Sequence, residues 1–98
     1  MKACKRIEIV LDQTLAPKLE QMLKNLGIDG YTRISDAGGL GDRGYRRADE
    51  VTGASSNCIF ILALEDNDQV SEVVSAIKPF LKSSGGICLV SDALSVIH

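Results

Sequence analysis

Ninety-eight residues, 45% of them hydrophobic and 24% charged, make a single globular domain and exclude a disordered chain. A net charge of −2 excludes a general nucleic-acid binder, because affinity for a phosphate backbone needs a surplus of Lys and Arg. Any anion site must therefore be local. No apolar stretch approaches the ~20 residues of a membrane helix. The opening Met1-Lys2-Ala3-Cys4-Lys5-Arg6 has no apolar signal core, so a cytoplasmic protein is expected. Cys4, Cys58 and Cys88 are odd in number and far apart, which predicts reduced, small buried hydrophobes rather than disulfides. With one histidine, His98, and no paired Cys or His ligands, no metal site is expected.

Along the chain, Ile7, Ile9 and Leu11 alternate with Arg6 and Glu8, the period of a strand. Leu15, Leu19, Met22, Leu23 and Leu26 form one helical stripe, with Thr14 as the expected N-cap, Pro17 in the first turn and Gly27 just past the end. Residues 30–37, with Tyr31, Thr32 and Ile34, read as a second strand. No sustained period follows across residues 38–56. From Cys58 to Leu64 every residue is apolar, as in a central strand. Asp66 or Asn67 caps a second helix, with Asp66 and Gln69 at capping-box spacing. Its stripe is Val70, Val73, Val74, Ile77 and Leu81. Pro79 is expected to kink or shorten its last turn. Ser83-Ser84-Gly85-Gly86 reads as a tight loop, and residues 87–94 as the last strand.

This order predicts an α+β fold over residues 1–98. It is a ferredoxin-like βαββαβ sandwich, with a four-stranded antiparallel sheet, two helices on one face, and a long loop between the second and third strands. The uncovered face of so apolar a third strand predicts self-association.

The long span carries Gly38, Gly39, Gly41, Gly44 and Gly53, and a GxGxxG match at Gly39-Leu40-Gly41-Asp42-Arg43-Gly44. A Rossmann reading fails, since no helical stripe follows and the chain is too short for that fold. The general physics remains: glycines let backbone N–H groups approach an anion, and Arg43, Arg46 and Arg47 supply guanidinium forks beside them. The alternative is a solvated loop whose arginines pair with Asp42, Asp49 and Glu50. Catalysis has little support. No Ser–His or Cys–His pair is suggested, and Asp36 and Asp42 read as solvated carboxylates. An acylphosphatase would carry its arginine-bearing glycine loop directly after the first strand, where this chain has Leu11-Asp12-Gln13-Thr14. An RNA-recognition domain would need stacking aromatics on its inner strands, and the third strand offers only Phe60.

The chain resembles the PII-like signal-transduction family, particularly its branch associated with bicarbonate transport and carboxysomes. The residues that carry the resemblance are Gly30-Tyr31-Thr32, the run from Gly39 through Gly44 to Tyr45-Arg46, the return strand near Asn57, and the turn at Gly85-Gly86. The resemblance implies a homotrimer that binds adenine nucleotides (ADP, AMP or ATP) in clefts between subunits, with bicarbonate as a further implied ligand. The long loop, about 38–56, would be the T-loop that contacts a partner protein such as a bicarbonate transporter or a carboxysome component. Thr32 would lie near the base. Gly39, Gly41, Arg43, Gly44, Arg46 and Arg47 would line the phosphate side, and Gly85 and Gly86 would form the second phosphate-facing turn. Tyr45 sits early for the tyrosine that some members uridylylate. No lysine follows Gly85-Gly86, and no basic segment follows the fourth strand, which favours a ligand with fewer phosphates.

The expected function is thus a non-catalytic regulatory protein without a cofactor, with no nucleic-acid partner and no insertion into membranes. The alternatives are an ACT-like or metal-binding ferredoxin-fold domain, and, last, an acylphosphatase-type enzyme. Neither ferredoxin-fold alternative needs a long Gly/Arg excursion between the second and third strands.

Overall fold

The computed structural model describes residues 1–41, 44–46 and 56–98. The order of elements is β1 (Lys2–Asp12), a 3-10 turn (Gln13–Leu15), α1 (Ala16–Asn25), β2 (Thr32–Ala37), β3 (Gly39–Gly41), β4 (Gly44–Arg46), β5 (Asn57–Leu64), α2 (Asn67–Ser84) and β6 (Ile87–Ser95). Four strands form one antiparallel sheet in the order β2-β5-β1-β6, and β3 pairs with β4 in a separate two-stranded hairpin. This is the α+β ferredoxin-like arrangement that the hydrophobic periods predict.

The period-two pattern sets the faces. Ile7, Ile9 and Leu11 of β1 and Cys58, Phe60, Leu62 and Leu64 of β5 are buried beneath the helices. Ala16, Leu19 and Leu23 of α1 and Val73 and Ile77 of α2 complete this core. Each such Leu, Ile or Phe contributes about 1.5–3 kcal/mol by leaving water. The opposite face is uncovered and carries an apolar row beside the Arg6–Glu8 ion pair of β1. One in-register row runs across all four strands through Ile34, Ile59, Val10 and Ile87. Ile34 is 45% exposed, Ile87 50%, and Leu89 in the next row 54%.

The helix ends follow local chemistry, and the structure departs from the sequence expectation at several points. Thr14 is not the N-cap of α1. Asp12 caps the short 3-10 turn instead, its Oδ1 accepting from the Thr14 N–H at 3.0 Å and the Thr14 hydroxyl at 2.8 Å, so that α1 starts only at Ala16. At the other end Gly27, at φ 79°, closes a Schellman turn: its N–H donates to the Lys24 carbonyl and that of Ile28 to Leu23. β2 begins at Thr32, not Gly30, because its pairing with β5 starts at Thr32 opposite Ile61. α2 is capped by Asp66, whose Oδ1 accepts from the Asp68 and Gln69 N–H groups. It continues through Pro79 to Ser84. The missing Pro79 N–H falls on an exposed side of the helix, where water can satisfy the freed carbonyl. Ser83 and Ser84 therefore belong to the helix, both hydroxyls donating to the Phe80 carbonyl, and only Gly85 and Gly86 form the turn. Finally, the 38–56 span contains the β3–β4 hairpin. Its strands of three residues each are too short to register as a period.

Cys4, Cys58 and Cys88 are free thiols, the first two buried and the third half-buried. Burial pushes the Cys58 and Cys88 thiols above their usual range. Among the described residues no helix is long and apolar enough to cross a membrane, and no group of three or more His, Cys, Asp or Glu side chains is placed to hold a metal.

Candidate functional site

One end of the sheet gathers the glycine segments. Asp12 at the end of β1 and Ala37 at the end of β2 both lie opposite Asn57, the first residue of β5, while Val10 lies opposite Ile87, the first residue of β6. The β3–β4 hairpin leaves from β2 at this end, and the Gly85–Gly86 turn enters β6 there. The two glycine segments nevertheless belong to opposite edges of the sheet, three strand spacings or roughly 14 Å apart.

The Gly85–Gly86 turn requires glycine. Both residues have positive φ, 77° and 105°, and a Cβ on Gly86 would sit 2.4 Å from the carbonyl oxygen of Val10. The turn is thereby pressed onto the end of β1. Gly39 is different: a Cβ there would meet nothing within 4 Å. In the hairpin Gly39 lies opposite Arg46, Leu40 opposite Tyr45, and Gly41 opposite Gly44. Arg43 and Arg47 lie outside the described residues. Thr32 stands opposite Ile61, on the uncovered face and four residues along β5 from Asn57. Within one chain, then, the structure brings Gly39, Gly41, Gly44 and Arg46 together. It keeps Gly85–Gly86 at the far edge and Thr32 farther along the sheet.

Sequence reasoning missed two groups beside these segments. At the root of the hairpin, the Gln13 side chain grips Asp36: its Nε2 donates to Asp36 Oδ1 at 3.0 Å and its Oε1 accepts from the Asp36 N–H. Asp36 has φ 60°, and a register shift between Ile34 and Ala37 marks a bulge around it. The Gln13 N–H donates to the carbonyl of Ser56 at 3.0 Å. The second group covers the helix side of β2. Glu20 of α1 accepts from the Tyr31 hydroxyl at 2.6 Å and from Arg33 Nη1 at 3.1 Å, and the Tyr31 ring packs on Phe60 with centroids 5.4 Å apart. The hydrogen bond to Glu20, aided by partial burial, raises the Tyr31 phenol above its usual range. The only sequence signal for either group is Asp12-Gln13-Thr14, a turn-capping tripeptide.

Comparison with known proteins completes the picture. The profile of the nitrogen regulatory protein P-II family matches residues 4–97. No curated protein matches the chain. Among solved structures the chain is similar to CPII, a nitrogen regulatory PII-like protein from Thiomonas intermedia bound to ADP, AMP and bicarbonate. The TM-score is 0.78 at 22% identity, over 93% of this chain and 92% of that one. It is also similar to a PII-like signaling protein from Thermus thermophilus, with a TM-score of 0.76 at 19% identity over 94% and 88% of the two chains. The B. subtilis GlnK–ATP complex gives a TM-score of 0.60 at 18% identity over 95% and 84%. With nearly its whole length accounted for by that one profile, the chain belongs to the nitrogen regulatory protein P-II family.

Proposed function

We propose that this chain is a non-catalytic PII-like regulatory protein that binds an adenine nucleotide, together with bicarbonate, in clefts between the subunits of a homotrimer. The observation that carries this reading is the glycine end of the sheet. Two glycine segments, the β3–β4 hairpin and the Gly85–Gly86 turn, lie at the same end of the sheet on its opposite edges. Such a spacing suits a ligand seated where copies of the chain meet, with main-chain N–H groups turned to its anionic part. The uncovered row Ile34–Ile59–Val10–Ile87 supports the assembly, since a face this apolar is stable in water when another copy covers it. The ADP, AMP and bicarbonate bound by the Thiomonas intermedia protein support the choice of ligand.

In this reading Gly39, Gly41, Arg43, Gly44, Arg46 and Arg47 serve the phosphate side, with Gly85 and Gly86 opposite, and Thr32 lies toward the base. Ligand occupancy sets the conformation of the 38–56 T-loop and so its affinity for a protein partner in inorganic-carbon metabolism. By linkage the partner changes nucleotide affinity by the same factor. Calorimetric titration with AMP, ADP, ATP and cyclic AMP, each with and without bicarbonate, tests the proposal. Saturable binding of at least one adenylate is expected, and silence from all four at millimolar concentration would refute it.

A further inference from the structure

Gln13 lies on neither side of the long excursion, yet it touches both of its roots. It sits in the 3-10 turn that joins β1 to α1. Its main-chain N–H holds the returning root through the Ser56 carbonyl at 3.0 Å. Its side chain holds the outgoing root by a two-point grip on Asp36, accepting from that residue's N–H and donating to its carboxylate. The turn itself is fixed from both sides: Asp12 caps it, and Ala16, the first residue of α1, is buried in the core.

The gripped residue is the one whose backbone decides where the hairpin goes. Asp36 is the one non-glycine residue with positive φ among the described residues, and β3 begins only three positions later. A left-handed conformation at a non-glycine residue persists when its surroundings over-determine it. Here the carboxamide of Gln13 matches both the exposed N–H and the carboxylate that this conformation presents. Released from that grip, Asp36 relaxes toward extended backbone, and the hairpin loses its fixed exit angle.

We infer that Gln13 is a positioning residue, a clasp that ties the two roots of the 38–56 excursion to the β1–α1 turn and sets the direction of the glycine hairpin. The clasp works without ligand, so its test is independent of the adenylate reading. Hydrogen exchange is measured on the ligand-free full chain for the wild type, Gln13→Glu, and Gln13→Glu combined with Asp36→Asn. The single variant sets two carboxylates against each other. The pair restores the match with donor and acceptor reversed, since the carboxylate introduced by Gln13→Glu can accept from both the N–H and the side-chain amide of residue 36.

The single variant should exchange about tenfold faster than wild type at residues 37–41 and 44–46, the cost of a lost hydrogen-bonded contact. Exchange at Ile7, Ile9 and Leu11 should not change. The pair should return the hairpin to within about twofold of wild type. Wild-type exchange in the single variant, or no recovery in the pair, overturns the clasp. Should Gln13→Glu fail to fold, Gln13→Ala must show the same local acceleration, and unchanged exchange there overturns it equally.

Discussion

Gly86 leaves no room for a methyl group against Val10: the position of a Cβ lies 2.4 Å from the Val10 carbonyl oxygen. The contact is with the backbone of a paired strand, which cannot step aside. Gly86→Ala should therefore cost about 3 kcal/mol, combining the clash with a φ of 105°. A thermal melt should show Tm lower by at least about 10 °C.

Gly39→Ala makes the complementary case. Nothing lies within 4 Å of the added methyl, so the melt should move by no more than about 0.5 kcal/mol equivalent. If the hairpin backbone lines the phosphate side, adenylate affinity should nevertheless fall, by roughly tenfold for one hindered main-chain contact. Calorimetry on a variant of wild-type stability separates the two roles.

The uncovered face gives a prediction about assembly. Ile59 lies at the centre of the apolar row, between Ile34 and Val10. Ile59→Lys leaves the core under the helices intact but, in the proposed assembly, would bring charges between the copies. Sedimentation velocity should show the proposed trimer in the wild type and a monomer in the variant, while circular dichroism stays that of the folded chain. A wild-type sedimentation profile would assign the apolar row no part in association.

Tyr31 predicts a pH dependence. Its phenol is raised first by the hydrogen bond to Glu20 and then by partial burial. The folded value therefore lies above the unfolded one, about 10. The stabilisation is fully present below pH ~10 and is lost as pH rises through the folded value. Phenolate absorbance in a Tyr45→Phe background, where Tyr31 is the remaining tyrosine, should titrate above the unfolded chain. Glu20→Gln should move that midpoint down.

The elements that bury a full stripe were legible in sequence, because burial imposes a period. Ile7, Ile9 and Leu11 alternate, and Leu19 and Leu23 are one helical turn apart, both patterns being direct consequences of facing one core. Gly27 and Asp66 were legible for a local reason, since a cap bonds within a few residues of itself. The β3–β4 hairpin was not, because strands of three residues are too short to show a period. Nor was Gln13: its partners Asp36 and Ser56 are brought to it by the pairing of β1 and β2 with β5, which no local rule encodes. Of the residues proposed for the anion site, the glycines stand out in the sequence for their conformational freedom. Their distribution over two sheet edges emerged only from the strand order.

Native mass spectrometry tests the central claim most directly, because it reads assembly and ligand together. The account predicts three copies of the 10.5 kDa chain travelling as one particle, taking up to three adenylates with no fourth. A particle of one chain that carries no adenylate at millimolar concentration would contradict it.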